Sequence, residues 1–164
     1  MRQNNISRLQ SFLPVLMRRP NARAVIKGSE EYPSVFGNVY FYQTRYGVLV
    51  VCEVNGLPDK DIKCASPVLG FHIHSGKSCT GNSEDPFADA LGHYNPDECE
   101  HPYHAGDMPL LFSNKGYAFS VFLTDRFSVG EIRGRTVIIH SMPDDFKTQP
   151  SGDSGKKIAC GVII

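Results

Sequence analysis

Two hydrophobic periods divide the chain. In residues 1–20, MRQNNISRLQSFLPVLMRRP, the apolar Ile6, Leu9, Leu13 and Leu16 fall at helical spacing, with Arg8, Arg18 and Arg19 off that stripe. This predicts a short surface helix, kinked or restarted at Pro14. A dimer contact and a degenerate targeting segment are the other readings of that stretch. From Ala22 the period becomes that of strands. Residues 22–27 form a short apolar run closed by Gly28. Residues 37–45 alternate, with Val39, Phe41 and Gln43 against Tyr40, Tyr42 and Thr44. Residues 47–54 are rich in Val and Leu and stop at Asn55-Gly56, and the runs on either side of Tyr46-Gly47 read as a hairpin. Residues 71–74, 110–113, 117–124, 136–140 and 158–164 are further strands, with a turn at Asn114-Lys115-Gly116 and a loop carrying Gly130 and Gly134. Phe41, Phe71, Phe119, Val121, Ile138 and Val162 are read as core.

Between these strands the pattern lapses in three places. Residues 57–69 read as a loop with two prolines, and residues 141–157 as a polar loop. Residues 75–107 have no clear period; connections of about thirty residues are uncommon in compact domains and usually functional or disordered. The pattern predicts an all-β fold, an antiparallel Greek-key sandwich or flattened barrel of about eight strands. Two long functional loops and a short N-terminal helical extension complete it. The division expected is an extension over 1–21 and a domain over 22–164.

Composition narrows the function classes. The 164 residues are 41% hydrophobic, enough for one domain with a real core. Lys plus Arg equals Asp plus Glu, 17 against 17, so global charge predicts neither nucleic-acid nor membrane binding. No apolar run approaches the roughly 20 residues of a membrane span. SFLPVLM is short for a secretory signal, is followed by Arg18-Arg19-Pro20, and lacks a small-residue cleavage site. The cytoplasm is therefore the location expected, with an extracytoplasmic home as the alternative. Five cysteines, at 52, 64, 79, 99 and 160, leave at least one thiol unpaired, and no CxxC pair occurs. Cys52, in VVCEV, reads as an inert core residue.

The histidines supply the chemistry. Five of the six, His72, His74, His93, His101 and His104, lie between Gly70 and Asp107; His140 ends the run TVIIH. His72 and His74 stand two apart on a strand and leave the same face. His101, His104 and Asp107 are spaced by three, and with a fourth donor would make a tetrahedral zinc site. Four imidazoles suit copper, and three imidazoles with one carboxylate suit zinc. Seven ligand residues fill eight positions only if one histidine serves both metals through its two ring nitrogens.

GFHIH, GHYNP, HAGD, TVIIH followed by Asp144-Asp145, and the closing GDSGKKIACGVI together resemble the copper/zinc superoxide dismutase family, over about residues 22–164. The resemblance implies copper on His72, His74, His93 and His140. It implies zinc on His93, His101, His104 and Asp107, with His93 as the bridge. It also implies a disulfide between Cys79 and Cys160, and a carboxylate, Asp144, that hydrogen-bonds one copper and one zinc histidine. The activity implied is disproportionation of superoxide to oxygen and hydrogen peroxide, with His93 taking up a proton when copper is reduced. A copper chaperone and a second copy of the chain are partners the resemblance admits.

The chain departs from the family pattern at three points. Lys157 stands where the family has its active-site arginine, keeping the charge but losing the planar fork, and slower catalysis is expected. A short 141–157 loop is expected to leave copper more open. His101 and His104 stand closer than in the family, which bears on zinc affinity; Cys99 is an alternative donor there, or a partner for Cys64. The competing function is a copper carrier or metal buffer on the same scaffold, and a third is a binding domain with impaired chemistry.

Overall fold

A computed structural model describes residues 8–59 and 67–164. A first helix, α1 (Arg8–Leu16), contains Pro14 without ending there. Phe12 from this helix packs edge-on against Tyr46 of the following hairpin, ring centroids 6.3 Å apart.

The strands are β1 (Ala22–Gly28), β2 (Phe36–Thr44), β3 (Gly47–Asn55), β4 (Val68–Leu69), β5 (Phe71–His74), β6 (Leu111–Phe112), β7 (Ala118–Thr124), β8 (Thr136–His140) and β9 (Lys157–Val162). Seven form one curled antiparallel sheet in the order β5-β8-β9-β1-β2-β3-β7, and β4 pairs with β6. Eight of the nine strands correspond to the eight runs expected; the ninth, β4, is separated from β5 by Gly70 and belongs to the small second sheet. The pair Val68–Leu69 lies inside the segment expected to be loop; it takes its partners, Phe112 and Leu111, from forty residues away in sequence. A second helix missed by the hydrophobic pattern, α2 (Val129–Ile132), starts at a capping box in which Ser128 and Glu131 satisfy each other's backbone N–H groups. The S-x-x-E spelling at 128–131 was the available signal.

The sheet's concave side holds the core, with Ile26, Phe41, Val50, Phe71, Ile73 and Val137 all fully buried. Phe119 and Val121, expected in that core, are 60% and 43% exposed. In β7 the set Phe119, Val121 and Leu123 is the more apolar, while Phe122 sits in the mixed set Ala118, Ser120, Phe122 and Thr124, so period alone favoured the wrong face. Pairing decided it: Phe122 lies opposite Val50 and Ser120 opposite Cys52, so their set turns inward. Val162 is only partly buried.

β5 and β8 are buried on both faces, so the polar alternates His72, His74 and His140 lie inside the molecule rather than facing solvent. One face of β5 and β8 packs Phe71, Ile73, Val137 and Ile139 into the core. The other is roofed by the 75–107 connection, whose Phe87 and Ala90 pack on Ile138 and Cys160. The disulfide Cys79–Cys160 fastens that roof to β9.

Candidate metal centre

His72 and His74 leave β5 on the roofed side, and His140 comes from the neighbouring β8, where a register shift at Ile139/His140 re-aims its ring. The loop brings the rest. It runs along the free edge of β5: Tyr94 N–H donates to Ile73 O (2.8 Å), and Ile73 N–H donates to Gly106 O (2.9 Å). The long loop therefore borrows its hydrogen-bond ladder from β5. Gly106 is required there, since a Cβ would collide with Ile73 O.

This juxtaposes His93 with His72, ring centroids 3.9 Å apart, and with His74, His104 and His101 at 5.0, 5.5 and 5.7 Å. Two four-residue donor groups result, His72/His74/His93/His140 and His93/His101/His104/Asp107, and a smaller one, His72/Asp107/Asp144, links them; each has its ligand atoms within 4.8 Å of one another. The close spacing of His101 and His104 does not separate the second set. Cys99 stands outside both groups, exposed, and Cys64 lies outside the described residues.

The outer hydrogen bonds settle which nitrogen each ring offers. His72 Nε2–H donates to Asp144 Oδ2 at 2.7 Å, and His101 Nε2–H to Asp144 Oδ1 at 2.8 Å. His74 Nδ1–H donates to Leu91 O at 2.7 Å, and His140 Nδ1–H to Gly155 O at 3.3 Å. In neutral rings the opposite nitrogens are then bare lone pairs. His74 Nε2 and His140 Nε2 face each other at 3.2 Å with no proton between them. His101 Nδ1 faces Asp107 Oδ2 at 3.1 Å in the same way. His72 Nδ1, His93 Nε2 and His101 Nδ1 are buried without a hydrogen-bond partner. Lone pairs converging among buried side chains repel, and cations between them convert that repulsion into coordination. The donors therefore fit two metal ions, one on nitrogen alone and one on nitrogen with a carboxylate.

Protons compete poorly for these sites. Burial penalises the imidazolium, pushing His72 down to about 4 and His140 down to about 3, and holding His74 well below its usual value. Burial would raise Asp107 and Asp144, but hydrogen bonds from His93 and from His72 outweigh it and keep both ionised.

Three supporting groups gave no signal in the sequence. Gln149 clamps the His101 backbone, accepting from its N–H (2.9 Å) and donating to its carbonyl (2.8 Å). Arg126 Nη1 gathers the carbonyls of Pro102, His104 and Asp107 at 3.0, 3.3 and 3.4 Å. Leu91, which supplies the carbonyl to His74, sits at φ 61°. Lys157 lines the same groove as His74 and His140, with Nζ 2.6 Å from Asp85 Oδ2 and 3.2 Å from Phe87 O. That groove is open and holds about 1610 Å³.

A curled antiparallel sheet carrying six imidazoles and two carboxylates in one buried cluster defines a binuclear metalloprotein scaffold. Residues 35–163 match the family model for copper/zinc superoxide dismutase. A Cu-Zn superoxide dismutase of Aquifex aeolicus is 35% identical over 144 residues, covering 79% of each chain. One from Legionella pneumophila is 33% identical over 139 residues, covering 80% of this chain and 79% of that one. Among solved structures, the Cu/Zn superoxide dismutase of Brucella abortus superposes with TM-score 0.71 at 24% identity, covering 87% of this chain and 99% of that one. A superoxide-dismutase-like protein from Bacillus subtilis gives TM-score 0.69 at 28% identity, covering 85% and 94%. The chain belongs to the copper/zinc superoxide dismutase family.

Proposed function

We propose that this protein disproportionates superoxide, with copper on His72, His74, His93 and His140 and zinc on His93, His101, His104 and Asp107. The observation that carries the reading is His93. Its Nδ1 lies 2.7 Å from Asp107 Oδ1, while its Nε2 is buried without a partner beside His72, so one ring addresses both donor groups. Bound copper, alternating between two oxidation states, supplies the one-electron chemistry that turns two superoxide ions and two protons into dioxygen and hydrogen peroxide.

The protein's residues supply the setting. Asp144 locks His72 and His101 in one tautomer each, and Leu91 and Gly155 do the same for His74 and His140. His101, His104 and Asp107 tie the loop to the far side of His93. His93 Nε2, buried and without a hydrogen-bond partner, would be the ring nitrogen able to hold a proton whenever no metal engages it. Lys157 is the cation we assign to the incoming anion, and its ammonium provides charge without a two-point grip.

Residues 22–164 are, in this reading, the dismutase domain, and residues 1–21 an extension. Among the described residues no helix is long and apolar enough to cross a membrane. The Cys79–Cys160 bond favours an oxidising, extracytoplasmic compartment over the cytoplasm expected from the sequence. A copper-donating protein and a second copy of the chain are the further partners we keep.

The test is superoxide consumption by copper- and zinc-loaded protein, beside a Lys157→Arg variant. Activity is expected in both, faster in the variant. No activity in either, with tight copper binding intact, would replace the enzyme reading by that of a copper carrier.

A further inference from the structure

The groove over the copper donors has the wrong charge for an anion. Glu30, Glu31, Glu84, Asp85 and Glu100 line it against Lys156 and Lys157. Each of the two lysines faces a carboxylate. Lys156 is 3.8 Å from Glu31, both side chains largely exposed, so solvent screens that pair. Lys157 is different. Its side chain is 16% exposed, Asp85 is 38% exposed, and the two meet at 2.6 Å. Lys157 lies opposite His140 in the β8–β9 register, so this is a pair beside the copper donors.

An anion approaching a lone ammonium meets a monopole. One approaching Lys157 as it stands meets an ion pair, whose field falls off faster with distance. Asp85 is held independently of the lysine, since its Oδ1 also accepts the Phe87 N–H at 3.0 Å. The same short stretch is fastened to β9 by the Cys79–Cys160 bond, so Asp85 cannot drift away from Lys157.

We propose that Asp85 sets the anion affinity of this site, pinning the Lys157 ammonium to the loop and offsetting part of its field. The inference rests on the copper assignment above. Asp85 is a positioning residue: it acts on the substrate through Lys157 and does not touch the metal donors.

The experiment uses copper- and zinc-loaded protein and titrates azide, a small anion, following the change in the copper absorption spectrum. Asp85→Asn keeps an acceptor for Lys157 and removes only the charge. Azide affinity is expected to rise about threefold or more, with a steeper dependence on ionic strength, because an uncompensated cation attracts an anion from farther away. Lys157→Met in the Asp85→Asn background is expected to remove the gain. Thiol titration checks that the disulfide is intact in every variant. Unchanged or weaker azide binding in Asp85→Asn overturns the proposal, as does a gain that survives the loss of Lys157. Metal analysis separates the two levels. Protein that takes up no copper overturns the site assignment itself; copper-loaded protein whose azide affinity ignores Asp85→Asn overturns only this inference.

Discussion

The nitrogen that a histidine can give to a metal is decided by what holds its other nitrogen. Here four rings are held by groups outside the pocket: Asp144 for His72 and His101, Leu91 O for His74, and Gly155 O for His140. The sequence supplied the imidazoles, and the family resemblance supplied Asp144, but neither indicated Leu91 O or Gly155 O, because a backbone carbonyl leaves no residue-specific mark. Residue roles are separable in consequence. His140 belongs to the first donor group and not to the second. His140→Ala is therefore expected to abolish superoxide consumption while one equivalent of zinc stays bound; activity retained in that variant would refute the copper assignment. Lys157 shows the same limit from the other direction. Its identity was plain in GKKIACG, but its engagement by Asp85, seventy-two residues earlier, was not.

At the scale of elements, the site is a contract between two loops and two strands, with β8 supplying His140. β5 offers its outer face and its free edge; the 75–107 connection lies along that edge; the 141–157 loop closes over both. Asp144 and Gln149 reach from the last loop to His101, and Gly152 makes room for the Asp144–His101 contact. Gly152 has φ +68°, and a Cβ there would collide with Asp144 Oδ1 and approach His101 Nε2 to 2.8 Å. Gly152→Ala should displace Asp144 and loosen His72 and His101 together. Disturbing such an outer carboxylate typically costs about 10–100-fold in metal affinity. Competition with a chelator should show both metals weakened; a variant that loses neither would mean Asp144 does not orient the two rings. β7 carries the opposite lesson. Its more apolar set, Phe119, Val121 and Leu123, faces outward, and pairing with β3 turns the mixed set inward.

The whole molecule, free of metal, stores the cost of keeping imidazoles neutral among buried side chains. In the unfolded chain these histidines take up protons near 6.5; folded, His72 does so only near about 4 and His140 near about 3. Between those values the unfolded state binds more protons, so stability rises with pH across the window and falls on acidification through it. Asp107 and Asp144 work in the same direction but lower, since their depressed values matter only below 3.8. The Tm of metal-free protein should therefore drop progressively as pH is lowered from 6.5 to 4. A Tm flat across that range would show that the imidazoles are hydrated in the metal-free state. Added zinc and copper should raise Tm in proportion to the logarithm of free metal, as for any ligand that binds only the folded chain.

By itself the sequence determined the strand pattern, the histidine inventory and the family motifs, because period and residue type are local properties. Tertiary structure decided which face of β7 turns inward, which nitrogen each ring presents, and which carboxylate meets Lys157. Those depend on atoms brought together from distant parts of the chain. A hydrogen-bond geometry or a charge pairing exists only once the backbone has closed around it.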